Sequence, residues 1–148
     1  MRSLIIPVLT IILFCTCKNG DKKEGPRANS MGAVITDSSQ FTSIEWMDSA
    51  SRDFGKITEG QKLEVSFRFK NSGDKPLVIQ RVQPSCGCTI AEQPNEPIAP
   101  GGEGRIKASF NSEGHIGINH KTLYVYANTK ASRNNELHFA VEVEKKKW

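Results

Sequence analysis

The chain has 148 residues and carries 20 Lys and Arg against 16 Asp and Glu, a formal net charge of +4, with 37% hydrophobic and 7% aromatic residues. The length fits one domain, the small charge and few aromatics exclude the composition of a nucleic-acid binder, and the apolar share excludes a fully disordered chain. No apolar run reaches the roughly 18 residues of a membrane-spanning helix.

The first element is an address. Met1-Arg2-Ser3 is followed by a short apolar run from Leu4 to Phe14. A positive start before a run too short to span a bilayer predicts a secretory signal peptide over residues 1–16. The run ends at Cys15-Thr16-Cys17, which resembles the lipobox of bacterial lipoproteins. Thr16 is small where Phe14 is bulky, which favours cleavage before Cys17 over cleavage before Cys15. The Leu of the pattern is displaced, since Leu13 lies four residues upstream of Cys17. The resemblance implies a covalent lipid (palmitate among its acyl chains) on Cys17 and no other cofactor. It also implies attachment to a membrane of the cell envelope. Lys18 after the lipidated cysteine favours the outer membrane, with the rest of the chain in the periplasm or at the cell surface.

Residues 17–43 are rich in Lys, Asn, Gly, Asp, Ser and Glu and sustain no period. They predict a lipid-anchored flexible tether. A coil of about 25 residues spans on the order of 25–30 Å.

From Ile44 to Trp148 the pattern becomes a domain of short alternating runs. Leu63, Val65, Phe67 and Phe69 alternate with polar residues and predict a strand with one buried face. Asn71-Ser72-Gly73-Asp74 is turn chemistry. Leu77 to Val82 reads as the next strand, and Thr89-Ile90 resumes after a turn through Pro84 to Cys88. Ile106, Ala108 and Phe110 share a face after a Pro-rich connection. Leu123, Val125 and Ala127 alternate with Tyr124 and Tyr126, beyond a Gly-rich loop from Gly114 to Asn119. Leu137, Phe139, Val141 and Val143 form the last run, with His138 facing outward, and Lys145-Lys146-Lys147-Trp148 reads as a solvated tail. No helical stripe appears. The domain reads as all-β, an antiparallel immunoglobulin-like β-sandwich of about seven strands.

An ordered series of motifs then stands out. It runs through Asp53-Phe54-Gly55-Lys56-Ile57, Gly60, Phe67-Arg68-Phe69-Lys70-Asn71-Ser72-Gly73 and Pro76-Leu77. It continues with Ser85-Cys86-Gly87-Cys88-Thr89, Pro97-Ile98-Ala99-Pro100-Gly101, Gly117, Lys121 and Asn128. The series resembles the bacterial secreted and lipid-anchored family called domain of unknown function 1573, over roughly residues 46–143. The resemblance implies an immunoglobulin-like sandwich related in architecture to ASPM–SPD-2–Hydin modules, in the cell envelope. It implies no activity and no catalytic residue.

Cys86-Gly87-Cys88 is the sharpest chemical feature. In an extended chain a Cys-x-Cys pair sits near the roughly 7 Å limit for bridging, and a turn through Gly87 shortens that distance. An oxidising envelope favours a disulfide, structural or redox-active. Two thiolates also suit a soft metal, with His115 and His120 as further ligands if their loop lies alongside. The spacing is not the Cys-x-x-Cys of thioredoxin. No paired carboxylates, phosphate loop or nucleophilic triad stand out, so the expectation is a non-enzymatic envelope protein that binds another protein or envelope component. The alternative is a periplasmic redox or soft-metal-handling protein acting through Cys86 and Cys88.

Overall fold

The computed structural model describes residues 37–132 and 134–147. The expected signal peptide, Cys15, Cys17, the part of the expected tether up to residue 36, and Trp148 lie outside the described residues. Eight strands follow a short 3-10 turn at Ser38–Gln40: β1 (Ile44–Trp46), β2 (Ser51–Thr58), β3 (Lys62–Asn71), β4 (Ile79–Pro84), β5 (Thr89–Glu92), β6 (Glu103–Asn111), β7 (Gly117–Ala127) and β8 (Asn134–Glu144). They form two four-stranded sheets in the orders β1-β3-β6-β5 and β2-β8-β7-β4.

The alternating residues are the core. Phe67, Phe69, Ile106 and Phe110 from the first sheet meet Leu123, Val125, Leu137, Phe139, Val141 and Val143 from the second, all fully buried. Period-2 alternation places one apolar set of each strand between the sheets and leaves the other to solvent. Phe69 faces Gly104 across the β3–β6 ladder. A Cβ at Gly104 would lie 2.5 Å from Cζ of that ring. The missing side chain is what lets Phe69 lie flat across its neighbour, and Trp46 packs edge-on against the same ring at 5.7 Å.

Two features depart from the expected pattern. The strands number eight, not about seven, and one pairing is parallel. β2 runs parallel to β8, whereas the other pairings are antiparallel. The chain keeps its direction through residues 47–50 and switches sheets there. β1 therefore ends on β3 and β2 continues beside β8. The β2 register shifts between Asp53 and Lys56, where Gly55 takes φ +69°, the left-handed conformation that favours glycine at a bulge. The strand also turns Arg52 inward. Its guanidinium donates to the Ser66 carbonyl at 2.9 Å and lies 4.7 Å from the Phe54 ring.

The switch between sheets is pinned by an ion pair. Arg68 on β3 donates Nη2 to Asp48 Oδ1 at 2.8 Å, and its backbone N–H donates to Oδ2 at 2.8 Å. The Arg68 side-chain donors, then its backbone N–H, hold the Asp48 carboxyl down at about 2. A folded value below the unfolded one of about 3.9 means that its stabilising contribution is fully present above pH ~4 and is lost as pH falls toward ~2. A carboxyl-carbon titration by NMR should show Asp48 titrating near 2, and Arg68→Gln should return it toward the ordinary range. An unshifted Asp48 would show that the pair is not formed in solution.

The chain engages the sandwich before Ile44. Thr42 is fully buried, its N–H donates to the Asn128 carbonyl at 2.9 Å and its hydroxyl donates to Asn71 Oδ1 at 2.9 Å. This end also holds the Asn71–Pro76 turn and Ile98. The β2–β3 turn, the β6–β7 connection and the end of β8 lie at the opposite end, where Ser112 N–H reaches the Gln61 carbonyl and Glu59 N–H the Glu144 carbonyl.

Candidate functional site

The link between β4 and β5 carries the cysteine pair. Pro84 ends β4, and Ser85 is tied to β7 by two bonds. Its N–H donates to the Thr122 carbonyl at 2.9 Å, and its Oγ accepts from Thr122 N–H at 3.1 Å. Cys86 to Thr89 then form a β-turn in which Thr89 N–H donates to the Cys86 carbonyl, while Asn111 N–H holds the Cys88 carbonyl at 3.0 Å. The turn brings the two Cα atoms to 5.3 Å, and Cys86 and Cys88 are joined by a disulfide. Both cysteines are half-buried and Gly87 is exposed.

The fold does not require glycine at position 87. An added Cβ would meet nothing within 4 Å, and φ is not in the left-handed region. Its effect is local: the tip of the turn carries no side chain, so a second molecule can approach the disulfide closely. Beside it lies a cavity of about 390 Å³ lined by Lys62, Cys88, Ile90, Ser109, Glu113 and His115, among others. Ile90 is 70% exposed, because β5 buries Thr89 and alternation turns its neighbour outward. The Thr89 hydroxyl lies 3.7 Å from Cys86 Sγ.

The residues weighed from sequence for a metal do not meet. His115 lines the cavity with Cys88 and rests 5.6 Å from the Phe110 ring. His120 pairs with Ala140 within the second sheet and shares the outward set of β7, opposite to buried Leu123 and Val125. The supposed loop from Gly114 to Asn119 is partly strand, since Gly117, Ile118 and Asn119 pair with Val143, Glu142 and Val141. That extra ladder separates the two histidines. Among the described residues no group of three or more His, Cys, Asp or Glu side chains gathers to hold a metal. His138 is exposed as expected, with Nδ1 3.0 Å from the Thr122 hydroxyl. Spacing alone did not reveal Lys62, Ile90 or Ser109 as neighbours of the turn, nor the Thr89 hydroxyl as a partner of Cys86. The run Thr89-Ile90 is too short for alternation to show which of the two faces outward.

Two packed sheets with almost no helix and a disulfide-closed turn at one end define an immunoglobulin-like β domain. Residues 44–143 match the family described as Protein of unknown function (DUF1573), and the chain belongs to that family. No curated protein matches it in sequence. Among solved structures it is similar to a protein of unknown function from Porphyromonas gingivalis W83, with a TM-score of 0.62 and 18% identity over 73% of this chain and 50% of that one. It is also similar to the ASH / PapD-like domain of human CEP192, with a TM-score of 0.55 and 11% identity over 81% of this chain and 98% of that one. Part of the secreted serine protease VesC from Vibrio cholerae matches at a TM-score of 0.52 and 14% identity, over 69% of this chain and 23% of the protease. This chain thus spans half or less of the Porphyromonas and Vibrio proteins, and these likenesses describe a fold.

Proposed function

We propose that this is a non-enzymatic docking module of the cell envelope. It is held to a membrane by lipid on Cys17 and binds another envelope protein through the end of the sandwich that carries the disulfide turn. The observation that carries this reading is the distribution of exposed apolar side chains. Of the four large ones among the described residues, Ile90, Ile116 and Ile118 lie toward that end, at 70%, 56% and 73% exposure. Ile90 points outward from the first sheet and Ile118 from the second, so the three share an end of the sandwich and not a face, and a partner that caps that end would cover them.

The path of the chain supports the same reading. The lipid tether would join at Thr42, beside Asn128 and Asn71. The turn lies at the other end of β6, whose nine residues run from near Gly102, bonded to Asn71, to Asn111, bonded to Cys88. At roughly 3.3 Å per residue this is about 30 Å. A module anchored at one end presents the isoleucines and the disulfide away from the lipid.

The test places a photo-crosslinking residue at Ile116, and in a second variant at Arg81 on the outer face of the second sheet, in cells making the full chain. One discrete adduct from position 116 and none from position 81, with loss of the adduct in Cys17→Ala, is the expected result. Equal adducts from both positions, or an adduct that survives removal of Cys17 unchanged, would overturn the reading.

A further inference from the structure

We propose that the Cys86–Cys88 disulfide is a thiol-exchange site in which Cys88 is the attacked sulfur and Cys86 the leaving thiolate. This goes beyond docking and does not rest on it. Substitution at a disulfide sulfur proceeds in line with the S–S bond, so the attacking thiolate must approach Cys88 from the side away from Cys86. Cys88, and not Cys86, lines the 390 Å³ cavity, together with Lys62, Glu113 and His115. Lys62 and Glu113 offset one another there, so what the cavity supplies is access to Cys88 and not net charge. Gly87 leaves the tip of the turn bare although neither space nor φ demands it.

The other half of the geometry serves the leaving group. The Thr89 hydroxyl is 3.7 Å from Cys86 Sγ, and Thr89 is only 4% exposed. Its proton is placed to bond the charge that forms on Cys86, which makes Thr89 a positioning residue. The turn also keeps its shape without the bridge. Ser85, Cys86 and Cys88 are held through backbone bonds from Ser85 to Thr122, from Thr89 to Cys86 and from Asn111 to Cys88. A bridge across one residue contributes little by chain entropy, so opening it leaves the sandwich folded.

The co-reactant is a dithiol. One of its thiolates attacks Cys88 Sγ, the Cys86–Cys88 bond breaks, and its electron pair leaves on Cys86. A mixed disulfide now joins Cys88 to the dithiol. The second thiolate of the dithiol then attacks the dithiol's own bridged sulfur and releases Cys88 as a thiolate. The dithiol is oxidised to a disulfide by loss of two electrons, and the pair in this protein takes up those electrons and two protons.

The experiment uses reduced glutathione as the attacking thiol, because a monothiol has no second thiol of its own to release Cys88, so a prompt acid quench traps the mixed disulfide before a second glutathione or Cys86 resolves it. The oxidised full-length chain in detergent is mixed with it anaerobically, quenched with acid, alkylated and mapped by peptide mass. Glutathione should appear on Cys88 in preference to Cys86 by about tenfold, the ratio expected from one hydrogen bond to a charged leaving group. Thr89→Val should slow the reaction about tenfold and Thr89→Ser should restore it, with the thermal unfolding of each variant measured alongside. Glutathione shared evenly or favouring Cys86 would overturn the proposal, as would a pair that stays oxidised in excess glutathione. If Thr89→Val fails to fold, the site of the adduct in the unaltered chain still decides.

Discussion

Phe139→Ala should lower the free energy of unfolding by about 3–5 kcal/mol, the largest loss expected of any single truncation here. Phe139 lies on β8, 1% exposed, at the junction of the two sheets. Its ring stands edge-on to Phe54 on β2 at 6.2 Å and to Phe110 on β6, in the opposite sheet, at 6.3 Å. Alanine removes the transfer energy of a whole ring, both edge-to-face contacts and the filling between the sheets. The surrounding groups collapse poorly, because β8 is held on both sides, by β2 and β7. A domain of about 100 residues has roughly 5–15 kcal/mol in total, so the variant should sit near the limit of stability, with its melting point down by about 15–30 °C. Phe139→Leu keeps most of the volume and should lose clearly less. Equal melting points for Phe139→Ala and the unaltered chain in a calorimetric scan would mean that Phe139 does not bridge the sheets.

The residues around Phe139 also show what could be read before the structure. Where a strand has one buried face and one wet face, alternation marks it, and this holds for β3, β6, β7 and β8. β2 escaped because it breaks the rule twice. Arg52 occupies an inward position, its charge satisfied by the Ser66 carbonyl and by the faces of Phe54 and Phe67. The bulge at Gly55 then shifts the apolar phase between Phe54 and Ile57. The parallel pairing of β2 with β8 follows from a sheet switch at residues 47–50, and no residue pattern encodes the sheet to which a strand will belong. The site divides in the same way. Cys86 and Cys88 were visible as a pair, and Gly87 as the means of turning between them. The neighbours of the pair come from β3, β6 and the β6–β7 connection, and only the β5–β6 and β3–β6 ladders bring Lys62, Ile90 and Ser109 together. His115 and His120 seemed equivalent in sequence, but the strand begins between them and sends them to different surroundings.

Asn128→Ala should cost about 1–3 kcal/mol although it removes no apolar surface of consequence. Asn128 is 2% exposed and uses its whole amide. Oδ1 accepts from Val78 N–H at 2.7 Å, and Nδ2 donates to the Gln40 carbonyl at 2.7 Å and the Pro76 carbonyl at 3.0 Å. One side chain thus joins the incoming chain, the start of β4 and the end of β7. Alanine leaves the N–H of half-buried Val78 and the carbonyls of Gln40 and Pro76, both exposed residues, without the amide, so water takes up part of the loss and the main cost is at Val78, about 1–3 kcal/mol. Asn128→Asp is the sharper comparison. It keeps the acceptor for Val78 but turns a second oxygen toward two carbonyls, so it should fare no better than alanine. A chain weakened only in overall packing would lose amide protection evenly. Here the loss should begin at Val78, whose partner is gone, and at Thr42, whose N–H is held by the Asn128 carbonyl. Hydrogen exchange followed by NMR reads both amides directly. If Val78 stays protected in Asn128→Ala and the melting point does not move, the amide is not what closes this end of the sandwich. If both amides open first, the polar residues at Asn71 and Asn128 in the motif series are explained by the way the segment before Ile44 is fastened to the domain.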